Sequence, residues 1–198
     1  MPELTGRKAV SHERILDVAS RAIRRDGYGG VNVTEVMRDA QLTHGGFYAH
    51  FASRDALLAE AVERAGADIA RALRERGDRL VAGGASPFRA FVEVYLSMDH
   101  VRDCEEGCPV SLLSGEMFRQ AAEVAEPSRR LVTQMHARVK KVLPAGAPRE
   151  AAWAVASALL GAVQLARALA GSDDKAAKAV IADTRKDLLA RYDSDRPR

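Results

Sequence analysis

Residues 43–51, THGGFYAHF, bring together two hydroxyls, two imidazoles, two adjacent glycines and two phenylalanines. Hydroxyl and imidazole groups can donate to phosphate oxygens and base edges, so Thr43, His44, Tyr48 and His50 point to contact with a nucleic acid. Glycines inside a helix cost roughly 1 kcal/mol each relative to alanine. Gly45 and Gly46 therefore need a return, and access supplies one: a backbone without side chains can come close to a partner. On a helix, Phe47 and Phe51 lie one turn apart and point to a core, whereas His44 and Tyr48 share another face. The first turn of such a helix also presents free N–H groups that favour anions. Ordinary packing is the competing explanation for each residue taken singly, and Phe47 and Phe51 fit it.

A second cluster lies in HVRDCEEGCPVSLL, residues 100–113. Cys104 and Cys108 would be neighbours on a continuous helix, but Gly107 and Pro109 interrupt it. Cys108 directly precedes a proline suited to a helix start, and helix N-termini favour the thiolate. Arg102 adds to that tendency; Glu105 and Glu106 oppose it. Cys108 thus fits either a reactive thiol or an inert buried one. A zinc site would need a fourth ligand beside His100, Cys104 and Cys108, and none is at hand. A helical enzyme using His44, His50 or Cys108 is a further class, but no acid–base pair, phosphate loop or metal cluster has the required spacing. No cofactor is implied.

Presenting residues 43–51 at a surface requires helices around them. Ile15, Val18, Ala19, Ala22 and Ile23 recur with helical period, predicting an amphipathic helix over about residues 12–25 that stops at Gly27, Gly29 and Gly30. Thr34 is the expected N-cap of a short helix carrying Val36, Met37 and Ala40 inward, with Glu35 in its first turn. Thr43 then caps the THGGFYAHF helix. Ser53 caps a long helix with Leu58, Val62, Ala65, Ile69 and Leu73 along one side, Arg74 and Arg76 in its last turn, and VAGGASP as its end. Further helices are expected to start at Pro87, Pro109 and Pro127. The break PAGAP, at 144–148, precedes an apolar helix over 149–170 and a last helix over 174–191 with Ala177, Val180, Ile181, Thr184 and Leu188 in a stripe. The tail DSDRPR is expected to fray.

Composition agrees with an all-α protein of about nine helices: 198 residues, 47% hydrophobic, 29% charged and only 5% aromatic. No strand-length alternation and no internal repeat is present. The formal charge of +3 is too small to argue for a polyanion partner, so any basic face must be local. Without a run of about 18 apolar residues or a signal-peptide core, no membrane association is expected and a cytoplasmic location is. Two cysteines are too few for a secreted disulfide scaffold.

Three short N-terminal helices, the second and third separated by about four residues, make a helix-turn-helix pattern whose last helix enters the major groove. Residues 12–58 resemble the N-terminal domain of the TetR family of bacterial transcriptional repressors, in the glycine-marked end of the first helix, both threonines, THGGFYAHF and the following ASRDALL. The resemblance implies that Tyr48 and His50 contact phosphates with Thr34 in support, and that Thr43, His44 and Gly45 face base edges. Arg54 stands where the family usually has lysine and keeps the charge for a phosphate at the head of the next helix. Arg7 and Lys8, in a flexible arm, would add to it.

The same resemblance divides the chain into a DNA-binding domain, 1–53, and a ligand-binding and dimerisation domain, 54–198. It implies a homodimer on a palindromic double-stranded operator, released by a small molecule of unknown identity. Phe91, Tyr95, Met98, Met117, Met135 and Trp153 are the candidate cavity lining, though each also suits plain core. A helix as apolar as 149–170 needs partners on several sides. It fits a dimer interface shared with 174–191 or the central helix of a monomer. A thiol switch at Cys108 is the alternative trigger, since some family members sense electrophiles through a cysteine.

Overall fold

The computed structural model describes residues 6–193; the segment before Gly6 and the tail after Asp193, whose fraying was expected, lie outside the described residues. Among these, nine α-helices and one 3₁₀ helix follow in the order α1 (Gly6–Gly30), α2 (Val33–Asp39), the 3₁₀ helix (His44–Ala49), α3 (Arg54–Ala82), α4 (Pro87–Tyr95), α5 (Met98–Arg102), α6 (Pro109–Met117), α7 (Ala122–Val142), α8 (Ala151–Ala170) and α9 (Asp174–Tyr192). The all-α expectation holds. Helix boundaries differ where tertiary contacts override local signals.

The first helix begins six residues before the predicted start, so Arg7 and Lys8 lie on its opening turns and not in a flexible arm. Gly27 bends it, with φ 75°. Only glycine adopts that conformation without strain. The bend also brings the chain against α6: a Cβ at Gly27 would lie 2.6 Å from Glu116 Oε1, and the Tyr28 N–H donates to Glu116 Oε2 at 3.1 Å. Tyr28 is buried and its hydroxyl pairs with Ser128 of α7 at 2.6 Å. The N-terminal helices are thereby tied to α6 and α7 as well as to α3.

Asn32, not Thr34, caps α2; its side-chain oxygen accepts from the Thr34 N–H at 2.9 Å. Ser53 caps α3 as expected, accepting from Ala56 N–H at 2.9 Å. That helix runs beyond Arg74 and Arg76 to Ala82, with Arg79 in its last turn. The helix predicted from Pro87 onward is two: Leu96 leaves helical geometry and Ser97 caps α5. Pro127 starts nothing. It lies inside α7, because Val124 and Ala125 are buried and draw the turn before it into the helix.

The core joins α1, α3, α6 and α7 to α8, whose inner face buries Val155, Leu159, Ala162, Val163 and Ala166. By length and composition α8 could span a bilayer, with a mean hydropathy of 1.5, yet it packs against α5, α6, α7 and above all α9. Its other face is exposed, with Trp153 at 50% and Leu165 at 60% accessibility. Asp193 closes the far end. Its buried carboxylate accepts from Ser86 at 2.7 Å and pairs with Arg89, fastening α9 to α4.

Candidate nucleic-acid interface and regulatory interior

Within THGGFYAHF, His44–Ala49 folds as two turns of 3₁₀ helix. Gly46 N–H donates to Thr43 carbonyl at 3.0 Å and His50 N–H to Phe47 carbonyl at 2.9 Å. Two adjacent glycines and a length of six residues favour this tighter form over a regular α-helix. Thr43 occupies the N-cap position with extended geometry, but its side chain makes no capping bond and stays exposed.

Phe47 and Phe51 are buried and stack at 5.6 Å. Phe51 in turn lies on His12 of α1 at 4.6 Å, and His12 Nε2 pairs with Glu60 of α3 at 2.8 Å. The 3₁₀ helix is thus fastened to both α1 and α3 through an aromatic stack that sequence spacing only half reveals. His12 itself gave no signal, since its partners are far away in the chain.

Outside this anchor, the exposed face carries Thr34, Thr43, His44, Gly45 and Tyr48, the last 73% accessible. Thr34 Oγ1 and His44 Nδ1 are 3.4 Å apart, which leaves Nε2 of His44 directed elsewhere. A Cβ added at Gly45 would meet nothing within 4 Å. The fold therefore has no packing need for glycine there. His50 is half-buried, with its Nδ1 unpartnered, and shares a shallow surface with Gly6, Arg7, Lys8 and Ser11. Burial, then His12, then Lys8 lower its pKa. The neutral ring can still donate one N–H.

Arg54 departs from expectation. Its guanidinium turns inward to the carbonyls of Val31, at 3.1 Å, and Tyr28, closing the end of α1 instead of standing free for a phosphate. In the turn before the 3₁₀ helix, Gln41 has φ 58°, a left-handed conformation that an ordinary side chain adopts at a cost.

The predicted ligand lining does not converge on one cavity. Tyr95, Met117 and Met135 are buried in the core and Met98 packs against it half-buried. Trp153 lies outside, stacked on His136 at 4.1 Å. Of these residues only Phe91 lines a groove of about 360 Å³ between α3, α4 and α7. Its polar lining, Arg74, Asp78, Arg138 and Lys141, was not singled out from sequence; solvated helix faces carry the same residue types.

Cys108 is the N-cap of α6 and is buried, while Cys104 is half-buried; neither is in a disulfide. The Cys108 N–H donates to His100 Nε2 at 3.2 Å, so that ring nitrogen is an acceptor. The ring meets Tyr95 edge to face at 4.5 Å. Above it, Arg167 of α8 donates to the carbonyls of Val101 at 3.1 Å and His100 at 3.0 Å, and to Ser111 Oγ at 2.9 Å. Gly107 makes room for it: a Cβ there would be 2.7 Å from Arg167 Nη2. Burial, followed by the Arg167 cation, pushes His100 down to a pKa of about 4. Burial also raises the Tyr95 phenol well above its usual value, with Cys108 adding to it. Among the described residues, no group of three or more His, Cys, Asp or Glu side chains is placed to hold a metal ion.

An exposed, glycine-opened helical turn held by phenylalanines behind a capped second helix is the geometry of a helix-turn-helix reader. The family model described as bacterial regulatory proteins, tetR family, matches residues 15–61. Over those residues the chain is similar to the N-terminal domain of the TetR family. A likeness in fold extends over the rest of the chain. The chain superposes on a TetR-family regulator from Cytophaga hutchinsonii with TM-score 0.75 at 15% identity, covering 98% of this chain and 100% of that one. A Legionella pneumophila TetR regulator gives TM-score 0.71 at 18% identity, covering 97% and 100%. E. coli NemR, in its reduced form, gives 0.69 at 18% identity, covering 89% and 96%. No curated protein matches the chain by sequence. The likeness to these solved structures is one of fold.

Proposed function

We propose that this regulator is a cytoplasmic repressor that binds a palindromic operator as a homodimer and is released by a small-molecule effector. The observation that carries the DNA-reading assignment is Gly45: among the described residues nothing occupies the space beside it, so its lack of a side chain serves an incoming partner. Around it, Thr43, His44 and Gly45 face base edges, Tyr48 and His50 hold phosphates, and Thr34 sets the His44 ring. Arg7 and Lys8, on α1 beside His50, replace Arg54 as the nearby cations.

One reader contacts too few base pairs for selectivity, so two must be held about 34–36 Å apart or at a larger multiple. The exposed face of α8 supports pairing through residues 149–191, since Ala154, Ser157, Gly161, Leu165 and Ala168 lie exposed there at helical spacing. We place the domain division at 53/54, the head of α3. That helix runs from the reader to the groove, and an effector that binds the released arrangement better would act through it.

A second trigger is supported by Cys108. Its place at a helix N-terminus beside Arg167 and His100 suits addition of the thiol sulfur to an electrophile, the sulfur proton passing to the electrophile or solvent. Selection of binding sites from random duplexes should return two inverted half-sites, and selection without any shared sequence would contradict the operator assignment. Cys108→Ser should abolish electrophile-induced release; unchanged release would remove the thiol trigger and leave the small-ligand one.

A further inference from the structure

We propose that the groove between α3, α4 and α7 binds an amphipathic organic anion: an aromatic or aliphatic body bearing a carboxylate or sulfonate. Its walls are apolar, built from Leu73, Ala90, Phe91 and Val142, and its volume of about 360 Å³ suits a small ligand. Three cations, Arg74, Arg138 and Lys141, line it against one carboxylate, Asp78.

Several arginines on the same helices are paired with carboxylates. Arg64 is held by Glu13 and Asp68, Arg71 by Asp68, and Arg130 by Glu63 and Glu126. No such carboxylate pair forms at Arg74, Arg138 or Lys141 among the described residues. Arg138 is half-buried, and burial together with neighbouring Arg74 works against its charge. A partly desolvated cation without a counter-charge is costly, and an anion in the groove would offset that cost. The Phe91 ring, stacked at 5.9 Å on the buried Tyr95, supplies a flat wall for the apolar body.

This assignment rests on the effector proposal only for its consequence on DNA; binding itself is independent of it. The test uses the purified full chain and two fluorescent probes with nearly the same rings, anilinonaphthalene sulfonate and the uncharged N-phenyl naphthylamine. The sulfonate should bind once per chain and at least about tenfold more tightly. Arg74→Gln combined with Lys141→Gln, both exposed and so without effect on folding, should weaken the sulfonate about tenfold and leave the neutral probe unchanged. Gly77 lines the groove and a Cβ there meets nothing within 4 Å, so Gly77→Phe should fill the space and abolish binding of both probes. Equal affinity for the two probes, or sulfonate binding unaffected by either variant, would overturn the anion site. Cation-dependent binding that leaves a DNA complex intact would uphold the site and overturn the effector role instead.

Discussion

Tyr48 and His44 stand in solvent on the 3₁₀ helix, whereas Tyr95 and His100 meet edge to face in the interior between α4, α5 and α6. The residue types are the same and the partners are not. Around His100, hydrogen bonds close on the chain itself: Cys108 N–H to its Nε2, Arg167 to its carbonyl, Ser111 to the Cys108 carbonyl. Around Tyr48 nothing closes, and His44 makes one long contact to Thr34. A polar group that the fold leaves unspent at a surface is available to a partner, while one spent inside fixes geometry and is a liability when its charge state changes.

The sharpest way to break this contrast is at Arg167. Truncation in Arg167→Ala removes three charged hydrogen bonds and leaves the carbonyls of His100 and Val101 unsatisfied. A loss of about 3 kcal/mol or more in folding stability is expected by denaturant titration. A comparable truncation at Tyr48, which is 73% accessible and makes no side-chain hydrogen bond among the described residues, should change stability by less than about 0.5 kcal/mol.

Acid should separate the two histidines next. His100 takes up its proton near pH 6.5 when unfolded but only near 4 when folded. Between those values the unfolded chain binds more protons, so stability is full above about 6.5 and falls as the pH drops toward 4. The expected loss is about 3 kcal/mol for this group. His100→Asn should flatten that part of the pH–stability profile, and an unaltered profile would show that His100 is not its source. A smaller gain concerns the turn before the 3₁₀ helix: Gln41→Gly relieves a left-handed backbone and should stabilise by about 1 kcal/mol, seen as a raised melting temperature.

The parts legible in the sequence are those governed by local chemistry. Ser53 as a cap, the glycines near 27, the inward Phe47 and Phe51, and the outward His44 and Tyr48 all follow from residue type and spacing. Arg54 was misplaced because its acceptors, the carbonyls near Tyr28 and Val31, are set by tertiary packing. Arg167 was invisible for the same reason, lying 56 residues from its Ser111 partner. Trp153 illustrates a different failure: on a helix apolar almost all round, periodicity does not say which face turns out. The Pro127 start failed because buried neighbours extend a helix upstream of a proline that would otherwise mark its first turn.

Affinity of the His44→Ala chain for a set of operators, each with one base pair replaced, tests the central claim most directly. The account predicts that the variant folds with unchanged stability and loses about 1–3 kcal/mol of discrimination at one position in each half-site, while Tyr48→Ala weakens every operator alike. Full discrimination retained by His44→Ala at every position would contradict the assignment of this helical turn as the reader.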